Sequence, residues 1–353
     1  MDFTLDPSLQ EAADLAALVI GRARAPELWT ALVDAGLVEI ALPADVQGDD
    51  LGPAGAAVVL TELGRAAAVT PTLATLMLGA LPLVRAGTPA KELLSRVVDE
   101  HAVLTGALHE PSVAFPATPR VTAEPGPDGF TVDGVKVGVP DAEAAERILV
   151  PVTRRPGGPG LLAVDPRTPG VSILRTPGAG PLAPYRVSFD QVSVPASALV
   201  GDAAAVNDLY RLAAAGAASY ADGLLAGALA LTVTHVGSRE QFGRPLATFQ
   251  AVAQEIADVY LASRTLHLLA TSAIWRLQTG ADPGTDAEVA AFWVASSLPE
   301  AIGVCHHLHG GLGLDRDYPL HRYSAAASDL ARLVGGPENT LDRLGARYVC
   351  SST

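Results

Sequence analysis

The 353 residues suffice for two or three packed units, and with 49% hydrophobic but only 5% aromatic residues the core must be built from Ala, Leu and Val. A formal net charge of -14 argues against a nucleic-acid binder, whose surface would be basic. Cys305 and Cys350 are too few for a disulfide framework and fit a reducing cytoplasm.

Residues 1–10 are acidic and lack an apolar run, so no secretory signal is expected. To about residue 100, apolar positions recur at helical spacing in Leu9-Ala13-Leu15-Leu18-Val19, Leu28-Leu32-Leu37 and Val58-Leu60-Leu63. Breaks fall at Ala25-Pro26, Gly48-Asp49-Asp50 and Thr70-Pro71, and Thr88-Pro89 ahead of Glu92 reads as a helix start. From 102 to 199 short β-type runs take over, at 130–132, 148–152, 161–164, 171–174 and 186–189, with turn signals at Asp128-Gly129 and Asp133-Gly134. Beyond Gly201 the pattern predicts long helices at 203–236, 247–278, 286–306, 319–333 and 338–348. The apolar run 212–233 is interrupted by Ser219, Tyr220 and Asp222, which predicts a buried helix rather than a membrane span.

Two segments of the last part carry chemistry. The first is Ser238-Arg239-Glu240-Gln241-Phe242-Gly243-Arg244-Pro245-Leu246, followed by Phe249-Gln250. Gly243 and Pro245 suit a sharp corner between helices. Arg239 offers a planar fork of donors matched to phosphate oxygens. The second is His306-His307-Leu308-His309-Gly310-Gly311-Leu312-Gly313, then Asp315 and Tyr318-Pro319-Leu320-His321-Arg322-Tyr323. Its glycines let a backbone approach a ligand closely and offer N–H donors. No Lys-Ser/Thr follows as in a P-loop, and no strand precedes as in a dinucleotide-binding βαβ unit. Histidines 306, 307, 309 and 321 lack the cysteine or paired carboxylate that would complete a metal site, so none is expected.

In order and spacing, these segments resemble the acyl-CoA dehydrogenase family. The first looks like its Arg-x-x-Phe-Gly-x-Pro…Phe-Gln stretch. The second is similar to its Gln-x-x-Gly-Gly-x-Gly and Tyr-Pro segment, with His307 where Gln is usual. Leu28-Trp29 to Leu42-Pro43, Gly64-Arg65, Thr70-Pro71 and Tyr185 to Pro195 resemble other parts of the family pattern. The histidine-rich version most resembles the glutamate-lacking subunit of actinobacterial heterotetrameric (α2β2) dehydrogenases acting on steroid side-chain CoA thioesters.

The resemblance implies an α+β fold: an N-terminal helical domain (1–101), a middle β-barrel or sandwich domain (102–200) and a C-terminal four-helix bundle (201–353). It also implies FAD, held across a subunit interface by Arg239, Gln241, Phe242, Gln250, His307, Gly310, Gly311 and Gly313. Desaturation of an acyl-CoA needs a base for the α-proton as well as the flavin. The family places that glutamate either in a Glu-Gly-Thr turn, which maps to Leu333-Val334-Gly335-Gly336-Pro337, or about 26 residues before Arg239, at Ala213. Neither position holds a carboxylate. The family's Thr-Glu-Pro-x-x-Gly-Ser-Asp appears as His109-Glu110-Pro111-Ser112-Val113-Ala114, and Lys136-Val137-Gly138-Val139-Pro140-Asp141 lacks the usual aromatic and Thr.

The resulting expectation is a chain with no catalytic residue of its own. It clasps the FAD of a paralogous catalytic subunit in a complex that takes an acyl-CoA and passes electrons to an electron-transfer flavoprotein, in the cytoplasm and with no nucleic-acid or membrane partner. The alternatives are a homomeric flavin-dependent monooxygenase of the same fold, a non-catalytic scaffold, and a dehydrogenase using Glu338, Glu110 or Glu255 as a displaced base.

Overall fold

The structure, a computed structural model, describes residues 5–350 apart from 25, 88, 89, 179, 181 and 183. The expected break at Ala25 and helix start at Thr88-Pro89 thus lie outside the described residues. Helices α1 (Pro7–Arg22), α2 (Leu28–Asp34), α3 (Gly52–Arg65), α4 (Leu81–Arg85) and α5 (Lys91–Asp99) come first. A wholly buried π-helix over Leu73–Ala80 runs into α4, where Pro82 has no N–H to give to the regular ladder.

Ten strands follow: β1 (Val103–Gly106), β2 (His109–Glu110), β3 (Val113–Ala114), β4 (Thr122–Gly126), β5 (Gly129–Pro140), β6 (Ala145–Arg154), β7 (Gly158–Val164), β8 (Val171–Arg175), β9 (Pro184–Pro195) and β10 (Leu199–Asp202). They form one ten-stranded sheet, and β1 lies parallel to β6. The turn before Gly129 is present, but Asp133-Gly134 is not a turn. There β5 runs straight on with a bulge, because β4 and β9 pair with it on both sides and absorb the extra residue. The Asp133 carboxylate accepts from Gln191 N at 3.0 Å instead of closing a hairpin.

The last part is helical again: α6 (Ala203–Ser238), α7 (Gln250–Gln278), α8 (Gly284–Ala295), α9 (Ser297–His309), α10 (Leu320–Leu333) and α11 (Gly336–Cys350). The helix expected over 286–306 is two, broken at Ser296. Pro299 cannot donate to the ladder, and Ser296 Oγ donates to its own helix at Phe292 O, 2.7 Å. Although α6 is long and apolar enough to cross a membrane, 89% of its most apolar stretch is buried within the protein.

The first and last helical parts share one core, in which Leu32, Leu60, Leu76, Leu224, Ala273 and Leu330 all take part. The sheet has its own, around Val132, Ile148 and Val187. The closest helix contact is α3 on α6. A Cβ at Gly223 would overlap the Thr61 carbonyl and stand 2.8 Å from Arg65 N, and one at Gly64 would overlap the Tyr220 carbonyl. Only glycine lets these backbones meet. Gly223→Ala is therefore expected to destabilise the fold by about 2–3 kcal/mol through overpacking, read from the urea midpoint.

Candidate cofactor clasp

The C-terminus of α6 is drawn into a small hairpin. Arg239 leaves the helix in an extended conformation, its N–H still bonded to His235 O. Two short strands, β11 (Glu240–Gln241) and β12 (Arg244–Pro245), pair across Phe242 and Gly243, whose φ values are 53° and 78°. A two-residue hairpin loop with both residues at positive φ is the tightest turn compatible with strand twist. Gly243 accepts that conformation freely; Phe242 does so at a cost of about 1–3 kcal/mol. The ring gains little burial in return, for Phe242 is 92% exposed, with only the Phe249 ring edge-on at 6.2 Å. Arg244 covers Phe249 at 4.1 Å. Leu246 N donates to Arg239 O at 2.8 Å and closes the loop. Gln241 and Gln250 are exposed beside it, and among the described residues the Arg239 side chain has no hydrogen bond or ion pair.

The glycine segment ends α9. Gly310 (φ 57°) caps the helix by donating to His306 O and His307 O, and a short 3-10 turn follows over Gly310–Leu314. No heavy atom lies within 4 Å of where a Cβ would stand on Gly310 or Gly311, so both offer bare backbone to open space. Gly313 differs: it is buried, with His306 Nδ1 3.0 Å from its Cβ position, and serves packing. His307 is exposed and faces Glu255 of α7 at 3.9 Å.

What joins the two segments is a histidine stack. His235, one turn before Arg239, lies against His309 at 4.5 Å and 15°. His309 Nδ1 is 2.7 Å from Cys305 O and therefore carries the proton, so its Nε2 accepts from the Tyr318 hydroxyl at 2.9 Å. Burial lowers the pKa of both rings, and Arg239 lowers that of His235 further. His306 is committed to Ser324, and His321 to Tyr318 O. Among the described residues no group of three or more His, Cys, Asp or Glu is arranged to hold a metal ion. Sequence reasoning missed His235, since its partner is 74 positions away.

The residues that the resemblance sets opposite a flavin in this chain's own sheet are differently employed. His109 stacks on Phe115 at 5.3 Å, Phe115 on Tyr210 at 4.9 Å, and the Arg343 guanidinium lies over Phe115 at 4.4 Å. This column fills the junction of sheet, α6 and α11. Between α10 and α11 the turn is Val334-Gly335, with Gly335 and Gly336 at φ 97° and 77° and no carboxylate. Ala213 is buried inside α6. Of the displaced carboxylates, Glu338 is exposed in the first turn of α11 and Glu255 faces His307. Glu110 is fully engaged, accepting from Arg120 N (2.7 Å), Val121 N (3.0 Å) and Lys136 Nζ (2.8 Å).

Profiles of the acyl-CoA dehydrogenase N-terminal and C-terminal domains match residues 9–99 and 208–349. The chain is 42% identical over 354 residues to the acyl-CoA dehydrogenase FadE28 of Mycobacterium tuberculosis, covering all of both. It belongs to the acyl-CoA dehydrogenase family. That is a family of FAD-dependent oxidoreductases. Among solved structures it superposes on the Tcur3481-Tcur3483 steroid ACAD with a TM-score of 0.92 at 35% identity, covering 99% of each chain. On the ChsE4-ChsE5 complex of M. tuberculosis the TM-score is 0.90 at 28% identity, again with 99% of each chain covered.

The Glu110–Lys136 pair is wholly buried. Burial works to raise the Glu110 pKa, but Lys136 and the two backbone N–H groups outweigh it and hold the carboxyl below its usual range. Its contribution is thus complete above about pH 4.3 and is lost as pH falls through the lower folded value. Lys136→Met strands the carboxylate and is expected to cost about 3–5 kcal/mol in urea denaturation at pH 7. Without its cation the folded carboxyl rises in pKa, so part of that loss is recovered on acidification.

Proposed function

We propose that this chain is the base-free subunit of a heteromeric acyl-CoA dehydrogenase and clasps FAD lodged mainly in a paralogous catalytic subunit. The observation that carries the reading is a set of unpartnered groups at the C-terminal end of α6, with no carboxylate at Ala213 or in the Val334-Gly335-Gly336 turn. Arg239 is unspent, Phe242 is held out in a strained turn, and Gly310 and Gly311 present open backbone, while Gly335 and Ala213 stand where a glutamate would act. These groups fit the ADP half of FAD: Arg239 and the glycine N–H groups for the pyrophosphate, Phe242 as an apolar cover, and Gln241, Gln250 and His307 as hydrogen-bonding flanks.

FAD when bound supplies the hydride acceptor for α,β-desaturation of a CoA thioester. This chain's residues hold the cofactor's tail and exclude water from it; the α-proton goes to a carboxylate of the partner. The likeness to a steroid dehydrogenase supports a steroid-derived acyl group, and electrons pass to an electron-transfer flavoprotein, as is usual in the family.

Purified alone, the chain is expected to be colourless. Co-expressed with its catalytic paralogue, it should give a yellow complex with one FAD per pair of unlike chains. A homo-oligomer with one FAD per chain would sink the proposal and favour an oxygen-using or displaced-base enzyme. Arg239→Ala in the complex removes charge-assisted bonds and should weaken FAD retention about 10- to 100-fold. A scaffold with relic motifs would show no change.

A further inference from the structure

Two side chains outside the clasp stand at the roots of both its parts. His235 lies in the last turn of α6, and its carbonyl accepts the Arg239 N–H at 2.8 Å. His309 ends α9, and the chain passes straight from it into Gly310 and Gly311. Each ring thus sits on the residue from which a gripping element departs. Among the described residues no hydrogen bond or ion pair leads from residues 239–246 to residues 310–314. The hairpin and the glycine turn are registered from below, where the two rings meet.

His309 is immobile. It is 5% exposed, its Nδ1 donates to Cys305 O at 2.7 Å, and its Nε2 accepts from the Tyr318 hydroxyl at 2.9 Å. The Tyr318 ring leans on it at 5.2 Å, and a Cβ on Gly313 would stand 3.3 Å from its own Cβ. One turn further in, the Cys305 thiol is bonded to Thr232 of α6, which seats α9 against α6. The imidazole therefore has no free rotation and forms a fixed platform.

His235 is held differently. It is half-buried, and among the described residues its ring makes no hydrogen bond. What fixes it is the face of His309, 4.5 Å away and within 15° of parallel. Burial lowers the pKa of both rings, with His309 and Arg239 adding to the effect at His235, and no carboxylate acts on either. The contact is therefore ring on ring without an ion pair, and a flat apolar ring at position 235 would serve as well.

The need for such a support lies in how α6 ends. Arg239 leaves the helix extended, with no glycine cap to close the last turn. An exposed helix end of this kind frays, and a frayed end would scatter the Arg239 donors. Donors held in place before the ligand arrives lose less freedom on binding it.

We infer that His235 is a positioning residue: stacked on the fixed His309, it holds the last turn of α6 so that Arg239 and the Gly310–Gly311 backbone face the same pyrophosphate. This rests on the FAD-clasp reading above and names the residue that sets its geometry.

Displacement of FAD from the complex with the catalytic paralogue, read by the fluorescence of released flavin, tests it. His235→Ala should weaken FAD about 3- to 10-fold, the worth of one aromatic pair, with the native mass of the complex unchanged. His235→Phe keeps the stack and should stay within about twofold of wild type. On an Arg239→Ala background, His235→Ala should cost nothing further, because it acts through Arg239. An equal loss with and without Arg239 marks general loosening and overturns the role, as does a His235→Phe complex as weak as His235→Ala. If Arg239→Ala weakens FAD while His235→Ala does not, the positioning role alone falls. If Arg239→Ala is itself without effect, the clasp reading falls and takes this role with it.

Discussion

The close approach of α3 to α6 is the constraint on which the rest of the molecule hangs. Gly64, Gly223 and Gly227 let the two helix backbones touch, and Tyr323 of α10 ties into the same seam by donating to Arg65 O at 2.8 Å. This fuses the first and last helical parts into one core and leaves the sheet as a separate body between them in sequence. Because α6 is a single 36-residue helix, about 54 Å long, what happens at its two ends is positioned by one rigid rod.

The two ends have diverged. At the C-terminal end, α6 carries Arg239 into a hairpin whose tip is strained and exposed, and the His235–His309 stack fixes that hairpin to the glycine turn of α9. At the other end, Tyr210 of α6 closes an aromatic column with Phe115 and His109, braced by Arg343 and by the buried Glu110–Lys136 pair behind. Strain and exposure mark one end, dense stacking the other.

Much was legible in the chain. Helical period, turn chemistry and the order helix–strand–helix described the elements, and the Arg239 and Gly310 segments were recognisable by spacing. Two local readings failed for physical reasons that act at a distance or were outweighed. Asp133-Gly134 has turn chemistry, yet β5 is paired on both edges there and bulges instead. The apolar period across 286–306 continues through Ser296, but Pro299 removes an N–H from the ladder and divides the helix. The π register at Leu73–Ala80 left no mark in a run that is apolar on all sides.

By itself the sequence determined the family, because the Arg239 and Gly310 segments are written in contiguous motifs, and it holds no carboxylate at Ala213 or over residues 333–337. Only the tertiary structure decided that Phe242 stands free while Gly313 is buried, that His235 joins the two motifs, and that His109, Phe115, Tyr210, Arg332 and Arg343 form one cluster. These residues lie up to 234 positions apart, and no local period or propensity links them. Their association is set by where α6, α10, α11 and the sheet edge come to pack, a property of the buried core rather than of any segment.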